Sequence, residues 1–157
     1  MSIDGKVLEL QEKANEMAKY YYMGFGDNLV IIADNASHYL KNSEIIGKDD
    51  ISYNLLQGIE NWYSKIPFDS LDAKEYHMLF TVREMLPILR NAMDDVFKNK
   101  KDKFSLIRLE RLTGSISDIG RLYKTKLLKL LKEIRSFPEA KDFTVEVYHY
   151  EGRLIKI

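Results

Sequence analysis

The chain of 157 residues is 45% apolar and 31% charged, and its 24 basic and 24 acidic side chains give no net charge. This composition is typical of a folded globular protein and excludes a disordered, highly charged chain. Because there is no cysteine, disulfides, cysteine nucleophiles and cysteine-bound zinc are excluded as well.

The chain begins with a helical pattern. Apolar residues recur at steps of three and four from Ile3 to Tyr21, which is the spacing of one helical face. Gly24-Phe25-Gly26 interrupts this pattern. A second helix is expected to start there, with Asp27 or Asn28 accepting its first free backbone N–H groups.

Two further helices follow. The second helix is expected to end near Lys41, and a third runs from the turn at residues 47–50 to Pro67. A longer periodic segment then covers residues 69–96, with Pro87 inside it. Because proline lacks an N–H group and crowds the preceding turn, we predict one helix kinked at this proline instead of two helices.

A long fifth helix is predicted after the lysine-rich loop at residues 98–103. Its apolar seam is formed by Leu109, Leu112, Ile116, Ile119, Tyr123, Leu127, Leu130, Ile134 and Phe137. The fourth and fifth helices are expected to pack as a long antiparallel pair. Gly114 and Gly120 each weaken the fifth helix by about 1 kcal/mol relative to alanine, so a break near Gly114 is left open.

The last segment changes to a two-residue period. Alternation from Phe143 and the turn-like Glu151-Gly152 predict a β-hairpin over residues 143–157. Apolar residues are expected on both faces: Phe143, Val145, Val147 and Leu154 on one, and Tyr148, Tyr150, Ile155 and Ile157 on the other. Since one face can pack on the helices, the other needs cover from the same chain or from a second copy in a homodimer.

These elements predict a mainly α fold in a single domain. It consists of a bundle of about five helices over residues 1–137 and a C-terminal β-hairpin appended to it. No secretory signal pattern is present at the N-terminus, and no apolar run is long enough to span a bilayer. We therefore expect a cytoplasmic protein with no membrane contact.

Charge is divided unevenly along the chain. Residues 1–97 carry 9 basic and 16 acidic side chains, a net charge of −7, whereas residues 98–135 carry 12 and 4, a net charge of +8, and residues 136–157 carry 3 and 4, a net charge of −1. On the side of the fifth helix opposite the seam, the positive segment forms a basic stripe of Arg121, Lys124, Lys129, Lys132 and Arg135, with Leu128 among them. An ordinary solvated helix face has the same pattern, and that alternative is left open.

The segregated charge and the hairpin favour a non-enzymatic protein that binds a protein partner, in an interaction or regulatory role. The expected partner-binding residues are the basic stripe with Leu128, the aromatic residues Tyr20, Tyr22 and Phe25, and the hairpin residues Tyr148 and Tyr150. For the tyrosines, a packed edge of the bundle is the alternative, because a buried tyrosine ring often keeps its hydroxyl near solvent.

A nucleic-acid-binding protein is the second hypothesis. The residues that would contact phosphates are Lys98, Lys100, Lys101 and Lys103 of the loop, together with Arg121 and Lys132 of the stripe. Aromatic residues suited to base stacking are scarce around them, so contact with the phosphate backbone is expected in preference to base recognition.

An enzyme or metal-binding protein is a distant third hypothesis. Gly24-Phe25-Gly26 lacks the Lys-Ser/Thr pair of a phosphate-binding loop, and no G-x-S-x-G pattern occurs. His38, His77 and His149 lie on different elements, outside the H-x-x-x-H and H-E-x-x-H patterns. Asp34 and His38, four residues apart, could share a helix face as a two-ligand pair, with an exposed polar face as the alternative. The sequence therefore predicts no cofactor, no metal and no catalytic residue.

Overall fold

A computed structural model of the chain describes residues 5–41, 48–99, 102–149 and 153–157, with only the backbone of residues 48 and 49. Within these residues there are five α-helices: α1 (Gly5–Lys19), α2 (Phe25–Lys41), α3 (Lys48–Ser64), α4 (His77–Asp94) and α5 (Lys103–Arg135). Three short strands accompany them: β1 (Tyr22–Met23), β2 (Glu146–His149) and β3 (Leu154–Lys156). The predicted mainly α fold with a C-terminal hairpin is confirmed.

The chain divides into two compact units. The first, which we call the terminal unit, combines Met1–Gly24 with Arg121–Ile157, and the second, the central unit, is Phe25–Gly120. The terminal unit therefore contains α1, the last part of α5 and all three strands. The central unit contains α2, α3, α4 and the first part of α5.

The turn between α1 and α2 is set by a glycine. Gly24 has a φ of 91°, a left-handed backbone conformation that glycine adopts without the steric cost of a Cβ. α2 begins at Phe25, directly after this glycine and two residues before the first expected cap, Asp27. α1 ends at Lys19, two residues before the end of the predicted pattern at Tyr21, and Tyr22 lies in β1.

The fourth helix starts later than predicted. A short 3₁₀ turn covers Phe68–Ser70, and α4 begins only at His77. In between, Oδ1 of Asp72 accepts a hydrogen bond from the backbone N–H of Lys74 at 2.8 Å. Such a local side-chain bond offers the backbone an alternative to the helix. Pro87 lies inside α4, which remains one helix as predicted.

The predicted loop at residues 98–103 is partly helical. A π-helical turn, Asp95–Asn99, follows α4 directly, and α5 begins at Lys103. Oδ1 of Asp102 accepts a hydrogen bond from the N–H of Ser105 at 2.7 Å. This contact satisfies one of the free donors in the first turn of α5.

The fifth helix is continuous through Gly114 and Gly120. Six seam positions are buried: Leu109, Ile116, Tyr123, Leu127, Leu130 and Ile134. Leu112 and Ile119 are half-buried. The seam predicted from its three- and four-residue steps is therefore confirmed from Leu109 to Ile134. Its last predicted member, Phe137, is half-buried but lies two residues beyond the end of α5 at Arg135, in extended backbone.

In the terminal unit, α1 packs against the seam of α5. The hydroxyl of Tyr123 donates a hydrogen bond to the carbonyl oxygen of Met17 at 2.7 Å. The ring of Tyr123 also stacks on that of Tyr21, with 6.4 Å between ring centroids. Tyr123, Met17 and Tyr21 are all buried. The hydrogen bond therefore holds the end of α1 against α5, and the two tyrosine rings shield this bond from water.

The hairpin gains a third strand that the sequence did not predict. The strand order is β1-β2-β3, with β1 parallel to β2 and β2 antiparallel to β3. An isolated hairpin is marginal in water, and an added strand is one way to stabilise it. Tyr22 pairs with Tyr148, and their rings stack with centroids 5.5 Å apart.

The predicted division of the hairpin into two apolar faces is wrong. Val147 pairs with Ile155, and Tyr148 pairs with Leu154, whereas the prediction placed each pair on opposite faces. Val145 and Ile157 exchange both backbone hydrogen bonds. Residues paired across antiparallel strands share a face. A shift of one residue in register thus collects the valines and isoleucines on one side, with Val145 and Val147 buried.

Candidate interaction surface

The basic stripe of α5 has the exposure that the sequence predicts for most of its members. Arg121, Lys124, Lys129 and Lys132 are exposed. Within the described part of the chain, Lys124, Lys129 and Lys132 have no ion-pair partner. These three ammonium groups therefore remain available to an acidic ligand.

Two leucines interrupt the charged surface. Leu128 is 42% exposed and Leu122 is 57% exposed. Leu128 lies four residues after Lys124 and four before Lys132, so the three side chains share one face of the helix. Leu122 and Lys129 are seven residues apart and share a neighbouring face. The stripe thus combines cations with accessible apolar surface.

Arg135, the last member of the predicted stripe, has a structural contact. Its side chain is half-buried, and Nε donates a hydrogen bond to the backbone oxygen of Phe143 at 2.9 Å. A charged donor to a carbonyl that precedes β2 ties the end of α5 to the start of the hairpin. We therefore treat Arg135 as part of the fold of the terminal unit.

The predicted aromatic surface is largely packed within the molecule. Tyr22 is 8% exposed and Phe25 is 5% exposed, and Tyr148 is half-buried beneath Tyr22. Tyr20 is half-buried, and burial together with the charge of Glu16 raises the pKa of its hydroxyl. The packed arrangement, which was the alternative for these residues, matches their burial.

Phe25 belongs to the central unit and packs there on Tyr63, with ring centroids 5.9 Å apart. Tyr150, the remaining aromatic residue of the predicted set, lies outside the described residues. Neither Phe25 nor Tyr22 is therefore retained as an exposed partner-binding residue.

The lysines proposed for nucleic-acid contact do not share one environment. Nζ of Lys98 is 3.8 Å from Oδ1 of Asp94 and 4.6 Å from the ring centroid of Tyr53. Lys103 is exposed at the start of α5. Lys100 and Lys101 lie outside the described residues. Lys98 is thus engaged by its own neighbours, which lowers its value as a phosphate ligand.

A polar cluster between α3 and α4 accounts for other charges of the central unit. The hydroxyl of Tyr53 donates to Oδ1 of Asp94 at 2.5 Å. Arg90 makes two hydrogen bonds to the carboxylate of Glu60, one of them from Nε at 3.1 Å. These bonds are the main cause that raises the pKa of Arg90. The hydrogen bonds of this cluster link α3 to α4, and each of its charged groups has a partner within the cluster.

The sequence reasoning missed a shallow groove on the first part of α5. We call it the Phe104 groove; its volume is about 340 Å³, and it is lined by Phe104, Ile107, Arg108, Arg111, Leu112 and Ser115. Steps of three and four residues along one helical face were the signal that could have revealed it. That face lies beside the seam and shares Leu112 with it.

The described residues contain no candidate metal site. Among the described residues, no group of three or more His, Cys, Asp or Glu side chains is arranged to hold a metal ion. No helix in the described ranges combines the length and apolarity needed to cross a bilayer. Comparisons with protein-family models, curated proteins and solved structures gave no match for this chain.

Proposed function

We propose that this chain is a non-enzymatic interaction protein whose basic stripe binds an acidic surface of a protein partner. The observation that supports this is the combination of Lys124, Lys129 and Lys132, without ion-pair partners in the described structure, with the exposed side chain of Leu128. A regulatory role in the cytoplasm is part of the proposal, and the cysteine-free sequence is compatible with that compartment.

The leucines favour a protein over a nucleic acid. Removing the side chain of a leucine from water yields about 1.5–3 kcal/mol when burial is complete. A phosphate backbone offers little apolar surface against which Leu128 could be buried, whereas a protein partner does. Lys98 contacts Asp94 and Tyr53, and a phosphate would compete with both of these contacts for its ammonium group.

A homodimer through the stripe is disfavoured by charge. A symmetric contact places the same surface of both copies face to face, so lysines would oppose lysines at a cost in free energy. The hairpin also gives less reason for a second copy, because its apolar side chains lie mainly on one face and Tyr22 covers Tyr148 on the other. We therefore propose a different, acidic protein as the partner.

The proposal can be tested with defined probes in a fluorescence anisotropy titration. The probes are a labelled peptide of glutamate and leucine, a polyglutamate of equal charge, and a polyadenylate RNA. We expect the glutamate–leucine peptide to bind most tightly, because it satisfies both the lysines and Leu128. Affinity should fall as salt is raised, since exposed charges are screened over about 10 Å at 0.1 M salt.

Two double variants that change the net charge by the same amount test whether the peptide binds at the basic stripe. Lys124→Glu/Lys132→Glu should weaken peptide binding by about tenfold or more. Lys141→Glu/Lys156→Glu alters two exposed lysines of the same unit outside the stripe and should change affinity much less. Equal losses in the two variants, or tight binding of the RNA without binding of the peptide, would contradict the proposal.

A further inference from the structure

The Phe104 groove is an apolar feature at a position where a helix surface is ordinarily polar. Phe104 is 83% exposed and Ile107 is 37% exposed, and Leu112, the third apolar residue of the lining, is half-buried. Single exposed apolar residues are common, but a contiguous apolar strip is a marker of an interaction site. These residues belong to the central unit and share no member with the basic stripe.

Charge at the rim of the groove is positive. Nη1 of Arg108 lies 3.3 Å from Oδ2 of Asp95, so a carboxylate of the chain itself positions this guanidinium. Arg111 is exposed and has no ion-pair partner among the described side chains. The groove therefore pairs an apolar floor with one available guanidinium, which can bind a carboxylate through two parallel hydrogen bonds.

The spacing of the lining residues indicates the shape of the ligand. From Phe104 to Ser115 the groove follows α5 over eleven residue-to-residue steps, about 16 Å at the usual helical rise. Three turns of a second helix have that length. Apolar anchors at steps of three and four residues, with acidic residues beside them, would match both the floor and Arg111.

We propose that the Phe104 groove docks an acidic amphipathic helix of a partner protein, with apolar side chains against Phe104, Ile107 and Leu112 and a carboxylate on Arg111. Charge complementarity selects this occupant over a second copy of the chain. In a symmetric contact between two copies, Arg111 would approach its own counterpart or lack a partner. The site is independent of the stripe proposed above.

The absence of native cysteine allows a site-specific test. Ser115→Cys, at an exposed position in the groove lining, can carry an environment-sensitive dye as the only thiol label of the chain. The probe is a stapled helical peptide of about 15 residues with leucines at steps of three and four and glutamates beside them. Titration should shift the dye emission to shorter wavelength and reach saturation.

Variants at the groove should weaken that binding. Phe104→Ala and Arg111→Glu are each expected to reduce affinity by about tenfold, as is common for aromatic and arginine anchors of an interface. Both positions are exposed, so folding should persist, which circular dichroism can verify. Ile51→Ala, at a residue 50% exposed on α3, is the matched control and should leave affinity unchanged.

Four results would overturn the docking proposal. They are equal binding of a peptide with glutamine in place of glutamate, an emission shift caused by raising protein concentration alone, no shift at about 1 mM peptide, and loss of the shift in Lys124→Glu/Lys132→Glu. The last would assign the peptide to the stripe. Normal peptide binding in that charge-reversal variant, with loss only in the groove variants, supports a separate site.

Discussion

At the scale of single residues, two glycines in α5 have opposite roles. A Cβ built at Gly120 would lie 2.8 Å from Cδ1 and 3.0 Å from Cε1 of Phe25, whereas one at Gly114 would meet nothing within 4 Å. Phe25 is buried and packs on Tyr63, so its ring has little room to move. Gly120 therefore allows close packing in the central unit, and Gly114 only costs helix stability.

These roles predict opposite effects of one substitution. Gly120→Ala should lower the free energy of unfolding by about 1–3 kcal/mol, because the added methyl overpacks the site of Phe25. Gly114→Ala should raise it by roughly 1 kcal/mol through helix propensity. Urea unfolding of both variants gives the comparison. Changes of the same sign would be inconsistent with the assigned packing.

The buried hydroxyl of Tyr63 should make the free energy of unfolding depend on pH in the alkaline range. Burial raises the pKa of its hydroxyl above the usual value of 10.0. Above pH 10 the unfolded chain releases this proton while the folded chain retains it. Stability from Tyr63 is thus fully present below about pH 10 and is lost as the pH rises toward the folded-state pKa, by at most about 1.4 kcal/mol per pH unit.

The check is the free energy of unfolding of the wild type and of Tyr63→Phe between pH 8 and about 11. The difference between the two proteins cancels the exposed lysines and tyrosines that titrate in both. We expect the wild type to lose stability more steeply above pH 10 than the variant does. Parallel curves would show that Tyr63 ionises as easily in the folded protein as in the unfolded chain.

At the scale of secondary-structure elements, α5 depends on the cap at its start. Asp102 accepts the N–H of Ser105 at 2.7 Å, so Asp102→Ala should cost about 1 kcal/mol of stability. Asp102→Asn keeps an acceptor oxygen and should cost much less. Thermal unfolding of the two variants distinguishes them, and equal losses would point to the charge of Asp102, with the hydrogen bond unimportant.

The seam of α5 was predictable because nine apolar residues at three- and four-residue steps leave one helical face for the core. The strand β1 was not, since Tyr22 and Met23 are too few to show a two-residue period. The register of the hairpin could not be predicted from the two-residue period, because a shift of one residue exchanges the two faces of a strand. In the structure Val147 lies opposite Ile155, which places both side chains on the same face.

The candidate surface was predicted in part for similar reasons. Exposure of Lys124, Leu128 and Lys132 follows directly from their position opposite the seam. Lys98 contacts Asp94 and Tyr53, and Arg135 donates a hydrogen bond to the backbone oxygen of Phe143. The contact of Arg135 could not be predicted, because it depends on how the chain folds back after the end of α5. The lining of the Phe104 groove follows three- and four-residue steps along α5, but this spacing does not show that Phe104 and Ile107 remain exposed in the fold.

At the scale of the whole molecule, the charges of the chain balance while the segment from 98 to 135 remains positive by 8. Several of its cations are used internally, as Arg108 with Asp95 and Lys98 with Asp94 show. Lys124, Lys129 and Lys132 have no such partners in the described structure. An acidic protein would neutralise the stripe and cover Leu128 in one contact.

The most direct test is a capture experiment from native lysate, run in parallel with and without nuclease treatment. The wild type, Lys124→Glu/Lys132→Glu and the charge-matched Lys141→Glu/Lys156→Glu are immobilised, and bound proteins are identified by mass spectrometry. The account predicts an acidic protein that the wild type and the matched control retain and the stripe variant loses. Identical sets of bound proteins on all three, or capture that disappears with nuclease treatment, would contradict it.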